Sequence, residues 1–219
     1  MPQVNDLPVI WEEDLDTYII EAIERLYLEG SLSPVQSVMD RSETLFAKLQ
    51  AMGAGEFVHL NGSLASHLKG TESLLRFWGA SEGVCLAGLY HAVYGTDAYN
   101  PSLVGLNARP QIAMLIGAEA EALAYLYGAC DRAVFYPRIG GEAQFLFADR
   151  FQSCEYAILP EQLKNLCELI LANELEIASN SAEFRAAYGP RLSLLFERMH
   201  GLVSEAGFNA FRKVLGNAG

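Results

Sequence analysis

Of the four histidines in this chain, His67 and His91 stand in apolar helical surroundings. His67 lies among Leu64, Leu68, Leu74 and Leu75, and His91 closes the run Val84-Cys85-Leu86-Ala87-Gly88-Leu89-Tyr90-His91. A buried imidazole is costly unless it is hydrogen-bonded or metal-bound, and its neutral form is a common ligand for transition metals. Two histidines on separate helices that meet inside a bundle supply two ligands to such an ion. The competing reading is that each hydrogen-bonds a neighbour in the core. His59, before His67 and across Asn61-Gly62, can fold back towards the same place, whereas His200 reads as structural. Directly after His91, Tyr94, Thr96 and Asp97 either line the mouth of a pocket or cap a loop. Arg109 precedes a helix N-terminus, where it holds an anionic ligand beside free backbone N–H groups or pairs with a surface carboxylate. Glu119 and Glu121 are two apart on a helix and cannot face the same way, so one of them is solvated. Asp149-Arg150 reads as a turn pair.

These residues need helices to position them. Leucines and isoleucines near helical spacing predict a first helix over Glu12 to Leu28, stopped by Gly30. Ser33-Pro34 opens a second, with Ser33 as N-cap, that ends at Met52-Gly53. A third begins near Asn61 or Ser63, carries His67 and stops before Gly79. Val84 to Val93 is apolar all round and predicts a buried central helix. Tyr94 to Arg109 reads as a long polar loop, a feature more often functional than accidental. Pro110 opens a helix that continues through a break near Gly117 into Ala118–Ala129. Gln144-Phe145-Leu146-Phe147 and Cys154-Glu155-Tyr156-Ala157-Ile158 flank Arg150-Phe151-Gln152 as a small β-hairpin. Pro160 starts a helix to about Ala178, and two more follow Ser181, the first broken at Gly189-Pro190. With no repeat and no linker, residues 1–219 are expected to form one mainly α domain, the helices of 1–53 preceding a core of 54–219.

His67 precedes His91 by 24 residues, in the pieces His67-Leu-Lys-Gly-Thr-Glu-Ser-Leu-Leu and Ala87-Gly-Leu-Tyr-His91. This resembles the HD-domain superfamily, and within it the stringent-alarmone (guanosine tetraphosphate) hydrolases. Ile116-Gly117-Ala118-Glu119-Ala120-Glu121 and Leu171-Ala172-Asn173 resemble two later helices of that group. The resemblance implies an HD-like helical bundle with a small β-hairpin insertion and makes Asn173 a metal ligand beside the histidines. It also brings Glu174 near the site. The Asp of the His-Asp pair is Ala92 here, and the late Asp is Asn173, so alarmone hydrolysis is not expected. A closer resemblance is to an uncharacterised domain family with a His-(Ser/Ala)-Val-Tyr-Gly-Thr motif. It is carried by His91-Ala92-Val93-Tyr94-Gly95-Thr96, His67-Leu-Lys-Gly-Thr71, Trp78-Gly79, Asp149-Arg150-Phe151 and Ala172-Asn173-Glu174-Leu175-Glu176.

Composition narrows the partners. Fifteen Lys and Arg against 27 Asp and Glu give a net charge of −12, which disfavours nucleic acid and an anionic membrane surface. Met1 to Asp6 shows no basic, then apolar, leader, so a cytoplasmic location is expected. The four cysteines lack a Cys-x-x-Cys pair, and at least three read as small buried hydrophobes. The expected function is a variant metal-dependent enzyme acting on a small polar or anionic metabolite. Its ion would be iron, manganese or zinc, with His67, His91, His59 and Asn173 as ligands and Tyr94, Thr96, Arg109 and Glu174 around the reaction. The alternative is an inactive HD-like domain that binds a small ligand or regulates. The apolar face of Trp11 to Leu28 is expected to bury either a partner surface or a second copy of the chain, as a homodimer.

Overall fold

The computed structural model describes residues 33–54, 58–59, 62–99, 101–141 and 146–216, with side chains from residue 41 onward and none at 58, 59 and 62. The helix expected over Glu12 to Leu28 therefore lies outside the described residues. The chain divides into two compact units, Met1–Thr44 and Leu45–Gly219. Described residues of the first unit belong to helix α1 (Ser33–Ala51), which crosses the boundary. The second unit holds all the residues discussed below.

Nine α-helices occur among the described residues, with two short antiparallel strand pairs, which is the mainly α class with a β-hairpin expected from sequence. Strands β1 (Val58–His59) and β2 (Gly62–Ser63) pair and lead into α2 (Leu64–Phe77). Ser63 caps α2 by accepting from the backbone N–H of Ser66 at 3.1 Å. The helix closes with Gly79 N–H on Arg76 O and Ala80 N–H on Leu75 O, both 3.0 Å, a paired C-terminal closure. Ser81 then caps α3 (Glu82–Tyr90), so the two helices form a tight pair. A Cβ on Gly88 would run into the Leu75 side chain, so glycine lets α3 lie close against α2.

Every residue of α3 from Val84 onward is buried, and α2, α5 (Ala118–Ala129) and α7 (Pro160–Asn180) pack around it. That enclosure is why the segment has no polar stripe. Helix α4 (Arg109–Ile116) is separated from α5 by Gly117, whose φ of +93° a residue with a Cβ rarely adopts. Helix α6 (Arg132–Phe135) and a 3-10 turn (Tyr136–Arg138) follow. The hairpin of β3 (Leu146–Asp149) and β4 (Cys154–Ala157) comes next, in the register Leu146↔Ala157 to Asp149↔Cys154. Cys130 bridges to Asp149, so the hairpin sits on the C-terminal end of α5.

Helix α7 touches α2, α3, α5, α8 (Ala182–Arg198) and α9 (Glu205–Leu215), which is why Leu166 to Leu175 is buried without interruption. Glu168 on α7 accepts from Ser204 N–H at 2.7 Å and Ser204 Oγ–H at 2.6 Å, fastening the start of α9. The break expected at Gly189-Pro190 is not there: α8 runs through Pro190 without interruption. The residue before a proline is pushed out of the helical region largely by its own Cβ, and Gly189 has none. Among the described residues no helix is long and apolar enough to cross a membrane.

Candidate functional site

His67 projects from α2 into the contact with α7, where its side chain is 5% exposed. Both of its ring nitrogens meet side chains of α7. Nδ1 pairs with Glu176 Oε2, and Nε2 lies 3.0 Å from Asn173 Oδ1. Residues three apart share a helix face, so Asn173 and Glu176 grip the ring from both edges. The motif around His67 serves this grip. A Cβ on Gly70 would lie 2.9 Å from Glu176 Cγ and 3.0 Å from its Oε1, so only glycine leaves the carboxylate room to reach the imidazole. Thr71 donates its hydroxyl back to His67 O at 3.0 Å, and Asn180 Nδ2 holds the other Glu176 oxygen at 2.8 Å.

His91 follows the last turn of α3 and is 2% exposed. Its Nδ1 is 2.7 Å from Gly88 O, and a carbonyl only accepts, so Nδ1 carries a proton. In the neutral ring the lone pair is then on Nε2. The rings of His67 and His91 stand edge to face with centroids 5.2 Å apart, and His91 meets Tyr127 of α5 at 4.9 Å. His59 belongs to β1, paired with Gly62 just before α2; its side chain lies outside the described residues.

A second layer abuts this pair. Tyr127 OH accepts from Arg132 Nη2 at 2.8 Å, and Arg132 Nη1 bonds Glu174 Oε1 at 2.9 Å. The guanidinium carbon lies 5.3 Å from the Tyr127 ring centre and 5.8 Å from that of Tyr136. Burial works against the charge of Arg132, but its polar neighbours, the Glu174 carboxylate among them, more than offset it and hold its pKa up. Burial likewise raises the Tyr127 and Tyr136 phenols, so both remain protonated. Glu174, one residue past Asn173, thus faces Arg132 rather than the imidazoles.

Tyr94, Thr96 and Arg109 go elsewhere. Tyr94 donates to Glu121 Oε1 at 2.9 Å, and Arg109 grips the same carboxylate with Nε at 2.7 Å and Nη2 at 3.0 Å. Glu121 is the buried member of the acidic pair and Glu119 the exposed one, as their spacing required. Arg109 also stacks 3.7 Å from the Tyr125 ring centre. Tyr125 in turn donates to Asp149 Oδ2 at 2.9 Å, while Asp149 Oδ1 accepts from the N–H groups of Phe151 and Gln152. Asp149 is thus the anchor of the hairpin turn. Tyr125 and Tyr127 are two apart, so this network and the histidine pair occupy different faces of α5. Thr96 Oγ1 accepts from Tyr99 N–H at 3.0 Å, a turn cap within the buried start of the loop.

Three neutral donors could hold an ion: His67 Nε2, His91 Nε2 and Asn173 Oδ1. Bonds of about 2.1 Å put an ion roughly 3.2 Å from each imidazole centre, so two rings on one ion stand about 4.6–5.3 Å apart at angles of about 90–110°. The observed 5.2 Å lies in that range. Two donors at about 2.1 Å and at right angles are about 3.0 Å apart, which matches the separation of His67 Nε2 and Asn173 Oδ1. An outward hydrogen bond from Nδ1 to a carboxylate or carbonyl is the usual way a metal-binding histidine is oriented. These two separations are the ones a borderline divalent ion would require. Among the described residues no three His, Cys, Asp or Glu side chains gather to hold a metal, so the amide is essential to such a site.

Sequence reasoning missed Tyr127, Arg132 and Tyr136 and gave Glu176 no part in the site. The i, i+3 spacing of Asn173 and Glu176 was the available signal for Glu176. Residues 48–132 match a family described as a domain of unknown function (DUF6817). That stretch contains His67, His91, Tyr127 and Arg132 but not α7. No curated protein and no solved structure matches the chain.

Proposed function

We propose that this chain is a variant HD-like metal-binding domain acting on a small polar or anionic metabolite, with His67, His91 and Asn173 as its protein ligands. The observation that carries the reading is the orientation of the imidazoles. Nδ1 of each is tied to an acceptor, Glu176 or Gly88, which directs the coordinating role to Nε2. The order of a lone histidine, an apolar helix ending in histidine, and a late Asn173 helix agrees with the HD-like resemblance. His59 is a further candidate ligand.

A divalent ion bound there supplies Lewis acidity and activates water at neutral pH. The chain's own residues set the rest. Glu176 orients His67, and Gly88 O orients His91. Arg132, held by Glu174, keeps a positive charge beside the pair, and Tyr127 stands between that charge and His91. Because the three ligands are neutral and the nearby carboxylates and Arg132 sum to −1, the charge of a dication is only partly compensated by protein, which favours an anionic group on the substrate. The acidic surface supports a small-molecule partner over nucleic acid.

A second reading rests on Asn173 itself: with a proton on His67 Nε2, the amide oxygen accepts it and closes the site without an ion. The domain is then a metal-free ligand-binding or regulatory scaffold. Metal content by plasma mass spectrometry decides between them, on full-length protein purified without tag or chelator beside His91→Ala. About one iron, manganese or zinc per chain, lost in the variant, is the expected result for a mononuclear site. Wild-type protein that is metal-free and takes up no added ion refutes the first reading and leaves the second.

A further inference from the structure

The Tyr136 hydroxyl is sealed from solvent and has no hydrogen-bond partner among the described residues. A buried phenol normally finds one, and an orphan of this kind marks a place where something else belongs. Its setting says what. Arg132 lies beside the Tyr136 ring, its guanidinium carbon 5.8 Å from the ring centre, and its side chain is 16% exposed. Of the five N–H donors on a guanidinium, one goes to Glu174 and one to Tyr127. Since the Tyr136 phenol stays protonated, the orphan is a donor too, and donors in excess call for an acceptor oxygen.

We propose that Arg132 and Tyr136 form a subsite for one carboxylate group of a small molecule. The planar fork of arginine matches a carboxylate, and the phenol supplies a further donor. Charge selects a monoanion. Glu174 already neutralises Arg132, so any bound anion adds negative charge to the pair, and a carboxylate adds half as much as a phosphate dianion. The subsite adjoins the histidine pair through Tyr127, whose ring meets His91 and whose hydroxyl meets Arg132. It names the substrate class for the function proposed above and rests on that reading only in calling the carboxylate a substrate.

The test uses full-length protein stripped of metal, with sodium acetate replacing sodium chloride at constant ionic strength. Thermal midpoint and the Arg132 Nε–H resonance are followed for wild type, Tyr136→Phe and the exposed-site control Tyr188→Phe. Acetate is expected to raise the wild-type midpoint and shift the resonance saturably, and Tyr188→Phe is expected to do the same. Tyr136→Phe is expected to weaken acetate by about tenfold while its midpoint in chloride stays at or above wild type, because an unsatisfied hydroxyl has been removed. Equal acetate response in wild type and Tyr136→Phe, or none in wild type, overturns the subsite. A lowered chloride midpoint in Tyr136→Phe overturns it as well, since the phenol then has a standing partner. Inorganic phosphate binding more tightly than acetate overturns the carboxylate assignment. Metal content of Tyr136→Phe is read in parallel: failure of the metal reading leaves these outcomes untouched, and failure here leaves metal uptake unchanged.

Discussion

Replacing Gly70 with alanine tests whether the grip on His67 is a real energetic unit. Taken alone, Gly→Ala inside a helix favours folding by about 1 kcal/mol. Here the new Cβ would lie 2.9 Å from Glu176 Cγ and 3.0 Å from Oε1. These are side-chain atoms, so Glu176 swings away and His67 loses its carboxylate. A hydrogen bond to a charged group contributes roughly 1.5–3 kcal/mol. Glu176 is 14% exposed, so it finds water once displaced and the loss sits towards the lower part of that range or is exceeded only by residual crowding. Subtracting the helix gain leaves a net destabilisation of about 0.5–1 kcal/mol, or roughly 1–4 °C in midpoint for a chain of this size. In a Glu176→Ala background the obstruction is gone, and Gly70→Ala should stabilise by up to about 1 kcal/mol. The sign therefore reverses, with a coupling of about 1.5–2 kcal/mol. Urea unfolding followed by circular dichroism reads all four proteins, with an unchanged m-value confirming that only stability has moved. A Gly70→Ala protein more stable than wild type, or one with the same effect in both backgrounds, refutes the reasoning.

Three other outcomes are expected. Asn173→Asp should tighten zinc or manganese binding at least about tenfold, because a carboxylate replaces a neutral amide ligand; competition against a chelator measures it, and unchanged affinity removes residue 173 from the ligand set. Arg109→Ala leaves the Glu121 carboxylate buried with Tyr94 as its remaining side-chain partner. Breaking a buried pair costs about 3–5 kcal/mol, but Arg109 is 36% exposed, so roughly 2 kcal/mol is expected, with about 1 for Tyr94→Phe; chemical denaturation that leaves Arg109→Ala at wild-type stability contradicts this. Finally, burial pushes the thiols of Cys85, Cys130 and Cys167 up to about 12, while Cys154 is exposed. Iodoacetamide at mildly alkaline pH should therefore label the native protein at Cys154 alone and the unfolded protein at all four, as counted by mass spectrometry.

The elements bearing the histidines were legible because their start and stop signals are local. Ser63, Gly79 and Gly117 each act through hydrogen bonds or backbone conformations within a few residues. The hairpin was legible for the same reason, and so was the opposite facing of Glu119 and Glu121. Gly189-Pro190 misled because a proline usually ends a helix, and the exemption that glycine grants is a matter of one missing Cβ. Tyr127 was hidden because α5 is apolar or small at nearly every position, and no periodicity separates the face that meets His91 from the face that meets Asp149. Arg132 and Tyr136 lie where short helical turns follow α5, and only tertiary packing against α7 brings Glu174 to them. The roles of Arg109 and Tyr94 turned on Glu121, a carboxylate whose burial depends on how α4 folds back on α5.

Charge separates the two networks that α5 divides. On one face Arg109 satisfies Glu121 through two bonds, and Asp149 is surrounded by donors from Tyr125, Tyr156 and the backbone. Among the described residues no buried side-chain polar atom there lacks a partner, which is what a purely structural network looks like. On the other face Glu174 and Glu176 carry two formal negative charges, Arg132 one positive charge, and the inner groups are imidazole and amide. That face has a formal balance of −1, so a cation improves it electrostatically. Added as a dication, the ion turns the balance to +1, and a monoanionic carboxylate restores neutrality next door. Metal and carboxylate should therefore strengthen one another, each raising the other's affinity by the same factor. Acetate that binds a metal-loaded and a metal-free protein equally would show that the subsite and the histidine pair are neighbours without a shared function.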